Sequence, residues 1–178
     1  MSGRPQRFTG QIALVTGGSA GIGRAIAREL LGFGARVLIA ARDGNGLDAV
    51  RLELEEAFPD GEVRTFAADV ADDEQRRELL DWVEDLGDGL NLLVNNAGGN
   101  LTKPANDYDE DEWRGIFEVN LFSAFELARC AYPLLTKHAA SCIVNVGSVS
   151  GLTHVRSGAP YGMSKTALHQ MTRNLAVE

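Results

Sequence analysis

Five short, almost wholly apolar runs recur along the chain: Ile12–Thr16, Ala35–Ala41, Glu62–Ala68, Leu90–Asn95 and Cys142–Gly147. A strand with one face in water alternates apolar and polar residues. These runs do not, so both of their faces must be covered, as in a parallel sheet packed between helices. The segments between them have helical patterning. Ile22, Ile26, Leu30 and Leu31 are spaced for one helix, and Leu47, Val50, Leu54 and Phe58 for the next. A third begins near Asp72, an N-cap residue with Gln75 three positions on, and carries Leu79, Leu80, Val83 and Leu86. A long helix from about Asp109 carries Trp113, Ile116, Phe117, Leu121, Phe125, Ala128 and Ala131, with Pro133 bending its far end. The last runs from about Ala159 through Ala167, Leu168, Met171 and Leu175. Right-handed crossovers then give a doubly wound parallel α/β sheet in three layers, with strand order 3-2-1-4-5. No repeat, low-complexity tract or linker divides residues 1–178, so a single domain is expected.

The first strand-to-helix turn, Thr16-Gly17-Gly18-Ser19-Ala20-Gly21-Ile22-Gly23, carries the first functional signal. Glycine permits a tight turn, close approach of backbone to a ligand, and close packing of helix on sheet. The helix start adds unpaired N–H groups and a partial positive charge, which suit a pyrophosphate. A nucleotide-binding domain of the Rossmann type is therefore expected, with contacts from Gly17, Ser19, Ala20, Gly21, Ile22 and Gly23. The spacing Gly17-x3-Gly21-x-Gly23 is not the common G-x-G-x-x-G.

At the end of the second run, where an acidic residue would grip an adenosine 2′-hydroxyl, stand Ala41 and Arg42. A guanidinium there pairs with a 2′-phosphate, and Ser19 can add a hydroxyl contact. NADP(H) is therefore expected, with NAD(H) as the alternative, and Asp43 would dilute the preference if it swung inward. In Ala68-Asp69-Val70 the carboxylate can accept from an adenine amino group or simply open the next helix. Asn95 and Asn96 can satisfy backbone groups where the fourth run stops, while Ala97 and Gly98 leave room for a flat ligand. The same residues would also make an ordinary turn.

Charge and composition bound the partners. The formal net charge of -8 over 178 residues argues against general affinity for nucleic acid or an anionic membrane. The opening MSGRPQRFTG has no leader-like apolar stretch, and no run is long enough to span a bilayer. Cys130 and Cys142 lack metal-type spacing and are expected to be reduced. A cytoplasmic protein without a metal site is the expectation.

Ser148 stands at the end of the fifth run, and Tyr161-Gly162-Met163-Ser164-Lys165 follows. Residues four apart share one helix face, one turn from each other. A tyrosine ordinarily ionises near pH 10, and moving it two to three units takes roughly 3–4 kcal/mol. An ammonium about 4 Å away supplies roughly 4 kcal/mol at an effective dielectric of 20. One lysine thus suffices to make Tyr161 a proton donor and acceptor, and Ser148 can donate to a substrate oxygen.

With Thr16-Gly17-x3-Gly21-x-Gly23, Asp69, Asn95-Asn96-Ala97-Gly98, Asn120, Ser148 and Tyr161-x3-Lys165, the chain resembles the short-chain dehydrogenase/reductase family. Within it, Leu90-Asn91-Leu92-Leu93-Val94 and Ala131-Tyr132-Pro133-Leu134-Leu135 resemble the tropinone-reductase-like branch, although Thr102 stands where that branch carries a histidine. The resemblance implies Asn120, Ser148, Tyr161 and Lys165 as catalytic residues. Patterning alone leaves Asn120 as a polar misfit inside a helix. By the same resemblance Lys165 also holds the nicotinamide ribose, and Asn120 anchors a water that returns protons through Lys165. Cofactor contacts are implied at Asp69, Val70, Asn96, Ala97 and Gly98 besides the glycine turn, Arg42, Tyr161 and Lys165. A homodimer or homotetramer is implied through the long and last helices, whose apolar faces on Ile116–Leu135 and Ala167–Leu175 serve a core equally well.

Relatives continue with two further strands, a Pro-Gly turn and a substrate lid, so the chain ending at Glu178 is expected to be incomplete. The expected activity is reversible NADPH-dependent reduction of a small ketone to a secondary alcohol. A nucleotide-binding fragment without turnover, or an epimerase or dehydratase of the same fold, is the alternative. Of His138, His154 and His169, none takes a role; His154 could border a substrate pocket, but loop surface is the expectation.

Overall fold

The computed structural model describes residues 7–178. The first six residues of the opening segment, on which the leader expectation partly rests, lie outside the described residues. Strands β1 (Ile12–Thr16), β2 (Arg36–Ala41), β3 (Val63–Ala67), β4 (Leu92–Asn95) and β5 (Cys142–Asn145) form one sheet in the order β3-β2-β1-β4-β5. All pairings are parallel, with Val15 opposite both Ile39 and Val94. This is the expected doubly wound arrangement. Four strands are shorter than their apolar runs, because flanking residues such as Leu90 and Ala68 are buried without pairing as strand. Full burial holds in the centre, where every residue of β1 is buried, and fails at the edge strands β3 and β5, which are partly open.

Alternate residues of β1 serve two cores. Ala13 and Val15 pack with Ala27, Leu30 and Leu31 of α1 (Gly21–Gly32) and Leu47, Val50 and Leu54 of α2 (Gly44–Ala57). Ile12 and Leu14 face Leu79, Leu80 and Val83 of α3 (Asp73–Asp85), and Leu127 and Leu134 beyond. Asp72 caps α3 by accepting from the Gln75 N–H at 2.9 Å. The Gln75 side chain does not return to Asp72. Its Oε1 accepts from the Asp69 N–H at 2.8 Å instead, and so holds the end of β3 against α3.

The long helix expected from Asp109 is broken into several pieces. A reciprocal cap between Asp109 and Glu112 starts α4 (Glu110–Phe117), a turn of π-helix spans Glu118–Phe122, and α5 (Ser123–Cys130) and α6 (Tyr132–Leu135) follow. Pro133 lies in the first turn of α6, so it helps start a helix and bends none. The π turn shifts the residue register, bringing Asn120 to 1% exposure, while Phe122 and Phe125 stay in solvent at 46% and 39%. Finally α7 (Ala159–Leu175) packs against α4 and the π turn, with Leu168 buried. Cys130 and Cys142 are exposed and joined in no disulfide.

Candidate active site

The glycine turn shows why small residues are required there. Gly17 has φ +64°, and a Cβ on it would stand 2.8 Å from the Ala97 backbone. Gly21 has φ +55° but faces open space, leaving room for a ligand. Gly23 points inward, where a Cβ would overlap the Asn96 carboxamide, so it serves packing. Ala20 offers α1 no side-chain cap and its first turn has no acidic residue, so the helix start keeps its positive end free. A buried Thr16 hydroxyl binds this turn to the end of β4. It donates to Val94 O and accepts from the N–H groups of Asn96 and Ala97, both at 3.1 Å. Asn96 Nδ2 in turn donates to Thr16 O at 2.9 Å and Gly17 O at 3.1 Å.

Two crevices open over the carboxyl ends of the strands. One, of about 200 Å³, is lined by Gly17, Ser19, Arg42, Asp69, Val70 and Ala97, among others. Arg42 is well exposed, with a guanidinium nitrogen 3.7 Å from an Asp69 oxygen. The Asp43 carboxylate lies over Gly46, where a Cβ would be 2.7 Å from Oδ2. The other crevice, of about 290 Å³, is lined by Ile22, Asn96, Gly98, Asn120, Tyr161 and Lys165, and others. Gly98 belongs to both walls. A cavity divided in this way, with a cation and an uncapped helix start at one end, suits a dinucleotide.

Tyr161 and Lys165 stand on the same side of α7, with the ammonium 5.9 Å from the ring centroid. Lys165 is 5% exposed and donates to Val146 O at 2.9 Å, and burial pushes its pKa below the ordinary lysine value. The Asn120 side chain clasps Gly99, accepting from its N–H at 3.0 Å and donating to its carbonyl at 2.8 Å. That clasp holds Gly98 against the crevice floor and leaves one Oδ1 lone pair free. Ser148 stands just after β5 and caps the 3-10 turn Val149–Gly151, its hydroxyl accepting from Ser150 N–H at 3.1 Å. It does not line either crevice. Asn120, Tyr161 and Lys165 are thus gathered around one opening, with Ser148 beside it.

The sequence profile described as short chain dehydrogenase matches residues 11–178. The chain belongs to the short-chain dehydrogenase family. A tropinone reductase homolog of Arabidopsis thaliana is 42% identical, over 96% of this chain and 64% of the relative. The chain therefore spans just under two thirds of the length of that curated relative. Among solved structures, RhlG of Pseudomonas aeruginosa in its NADP active-site complex is 36% identical with TM-score 0.90, over 96% of this chain and 68% of that one. A metagenomic short-chain oxidoreductase in complex with NADP is 35% identical with TM-score 0.89, over 95% and 76%.

One residue of this chain takes no role from patterning yet touches the site. His169, one turn beyond Lys165, accepts from the Ser148 N–H through Nε2 at 3.4 Å. Gly147 and Gly151 make room for the ring, since a Cβ on Gly147 would overlap it and one on Gly151 would stand 2.9 Å from its Cε1. A glycine before the serine, paired with a histidine eight residues after the tyrosine, was the available signal. Asn145 likewise joins the sheet end to α7, accepting from Asn95 Nδ2 and donating to Thr172 Oγ1, both at 2.9 Å. Another depression, about 770 Å³, lies at the opposite ends of the strands, and its Arg36 is already neutralised by Glu62 and Asp88. It contains none of the expected site residues.

Proposed function

We propose that this chain carries the catalytic constellation of an NADPH-dependent carbonyl reductase that converts a ketone to a secondary alcohol, and the reverse. The observation that carries this is the crevice in which the buried Lys165 ammonium stands beside the Tyr161 ring. A bound nicotinamide supplies hydride chemistry. Tyr161 donates its hydroxyl proton to the carbonyl oxygen as negative charge develops there, and the Lys165 cation stabilises the phenolate that remains. Ser148 donates a second hydrogen bond to the same oxygen. Asn120 keeps the Gly98–Gly99 floor in place, and its free lone pair can hold a water that returns a proton by way of Lys165.

NADPH is preferred to NADH because Arg42 and Ser19 share a crevice whose two acids are engaged, Asp69 with the Arg42 cation and Asp43 over Gly46. Two solved relatives are NADP complexes, in keeping with that preference. Exposed Phe122, Phe125 and Tyr132 on the π turn, α5 and α6 supply an apolar surface for pairing of copies. Tyr161→Phe tests the assignment: turnover of a ketone panel, followed by NADPH absorbance, should fall by about 10²-fold or more while NADPH affinity holds. Undiminished turnover in that variant removes Tyr161 from the mechanism. NADPH bound by the parent chain with no carbonyl reduced favours a nucleotide-binding role.

A further inference from the structure

The loop that joins Ser148 to Tyr161 forms a hollow of its own, about 290 Å³, lined by Ser150, Thr153, His154, Arg156, Ser157 and Gly162 among others. Along the chain its walls reach close to the catalytic residues, with Ser150 two residues after Ser148 and Gly162 one residue after Tyr161. None of its lining residues belongs to the two cofactor crevices. The hollow is braced. Ser157 O accepts from Asn100 Nδ2 at 2.9 Å and from Thr102 Oγ1 at 3.4 Å, and Gly151 O accepts from Thr166 Oγ1 at 3.2 Å.

Its charge runs against that of the whole protein. Although the chain carries -8 overall, no Asp or Glu occurs between Glu126 and Glu178, whereas Arg129, Lys137, Arg156, Lys165 and Arg173 do. Arg24, Arg36, Arg51, Arg77 and Arg114 all face carboxylates. Arg156 is exposed and, among the described residues, has no ion-pair or hydrogen-bond partner, and neither does His154. A planar guanidinium left free beside serine and threonine hydroxyls, with no acid in the wall, matches an oxyanion.

We propose that this hollow receives an anionic group of the substrate, a carboxylate or a phosphate, so that the ketone reduced at Tyr161 is a keto acid or keto phosphate. The inference rests on the carbonyl-reductase reading above. Its test compares 4-oxopentanoate with its methyl ester, and dihydroxyacetone phosphate with dihydroxyacetone, using the full chain and NADPH. The charged member of at least one pair should have the higher kcat/KM by about tenfold or more, and which pair shows it separates carboxylate from phosphate. Added salt should shrink that ratio. Arg156→Gln should bring it towards one through KM, whereas Arg173→Gln, in the last turn of α7 and outside the hollow, should leave it in place. Equal rates within both pairs, or a ratio untouched by Arg156→Gln, overturn the anionic assignment while the reductase reading stands. No turnover with any of the four compounds overturns the anionic assignment alone if the ketone panel is still reduced, and both readings if it is not.

Discussion

Lys165→Met separates the chemistry of the site from its cost to the fold. The wild-type ammonium is 5% exposed, with Val146 O at 2.9 Å as its acceptor, and burial holds its pKa below the ordinary 10.5. In the unfolded chain the same amine keeps its ordinary value. Below the folded pKa both states hold the proton, and the folded state bears the desolvation. Between the folded pKa and 10.5 the unfolded chain holds a proton that the folded chain releases, so stability rises with pH, by at most about 1.4 kcal/mol per pH unit.

Methionine keeps the apolar stem and cannot titrate, so the variant lacks that rise. The difference between parent and variant cancels the other titrating groups. At pH 7 the lost charge-assisted hydrogen bond, roughly 1.5–3 kcal/mol, is offset by relief of a desolvation penalty of several kcal/mol. The variant should therefore unfold within about 2 kcal/mol of the parent in urea, followed by Trp82 and Trp113 fluorescence, while ketone reduction falls by about 10²-fold or more. A parent-minus-variant stability difference that stays flat as the pH is raised all the way to 10.5 would falsify the claim that this amine is desolvated. So would a loss of more than about 4 kcal/mol at pH 7, the scale of breaking a buried charge pair.

Three further outcomes follow from the same geometry. Asn120→Ala strands the N–H and carbonyl of Gly99 and should destabilise by roughly 2–3 kcal/mol, read as a lower thermal midpoint; an unchanged midpoint shows that water replaces the clasp. Gly147→Ala drives a Cβ into the His169 ring and should lower kcat with little change in NADPH affinity; adding His169→Ala should restore part of the loss, and no rescue disconnects His169 from Ser148. Arg42→Gln should weaken NADPH by about tenfold in a fluorescence titration and NADH by much less; an equal loss of both cofactors assigns Arg42 no part in choosing between them.

Much of this fold is legible along the chain because its signals are local. The run Ile12–Thr16 is apolar at nearly every position, as only a strand covered on both faces tolerates, and the glycine turn after it needs conformations that glycine alone adopts cheaply. The Tyr161–Lys165 spacing likewise places both side chains on one helical face wherever that helix lies. The break in the long helix was not legible. Phe117 to Ser123 has ordinary helical composition, and the register shift there appears only because burying Asn120 against Gly99 offsets the irregular turn. The Gln75 side chain also forsakes the cap that local pattern favours, because a more distant N–H, that of Asp69, lies within reach in the folded chain.

What the order of residues settled by itself was the alternation of buried strands and helices, and with it the sheet order and the end of the sheet that holds the chemistry. Steric limits on the backbone and the period of each element act over a few residues, so they can be read without a partner. The tertiary structure alone decided that Asn120 turns inward, that His169 stands under Ser148, and that Arg156 is left without a carboxylate among the described residues. Those are matters of distance between segments far apart in the chain, and distance is set only once the sheet has closed and its helices have packed.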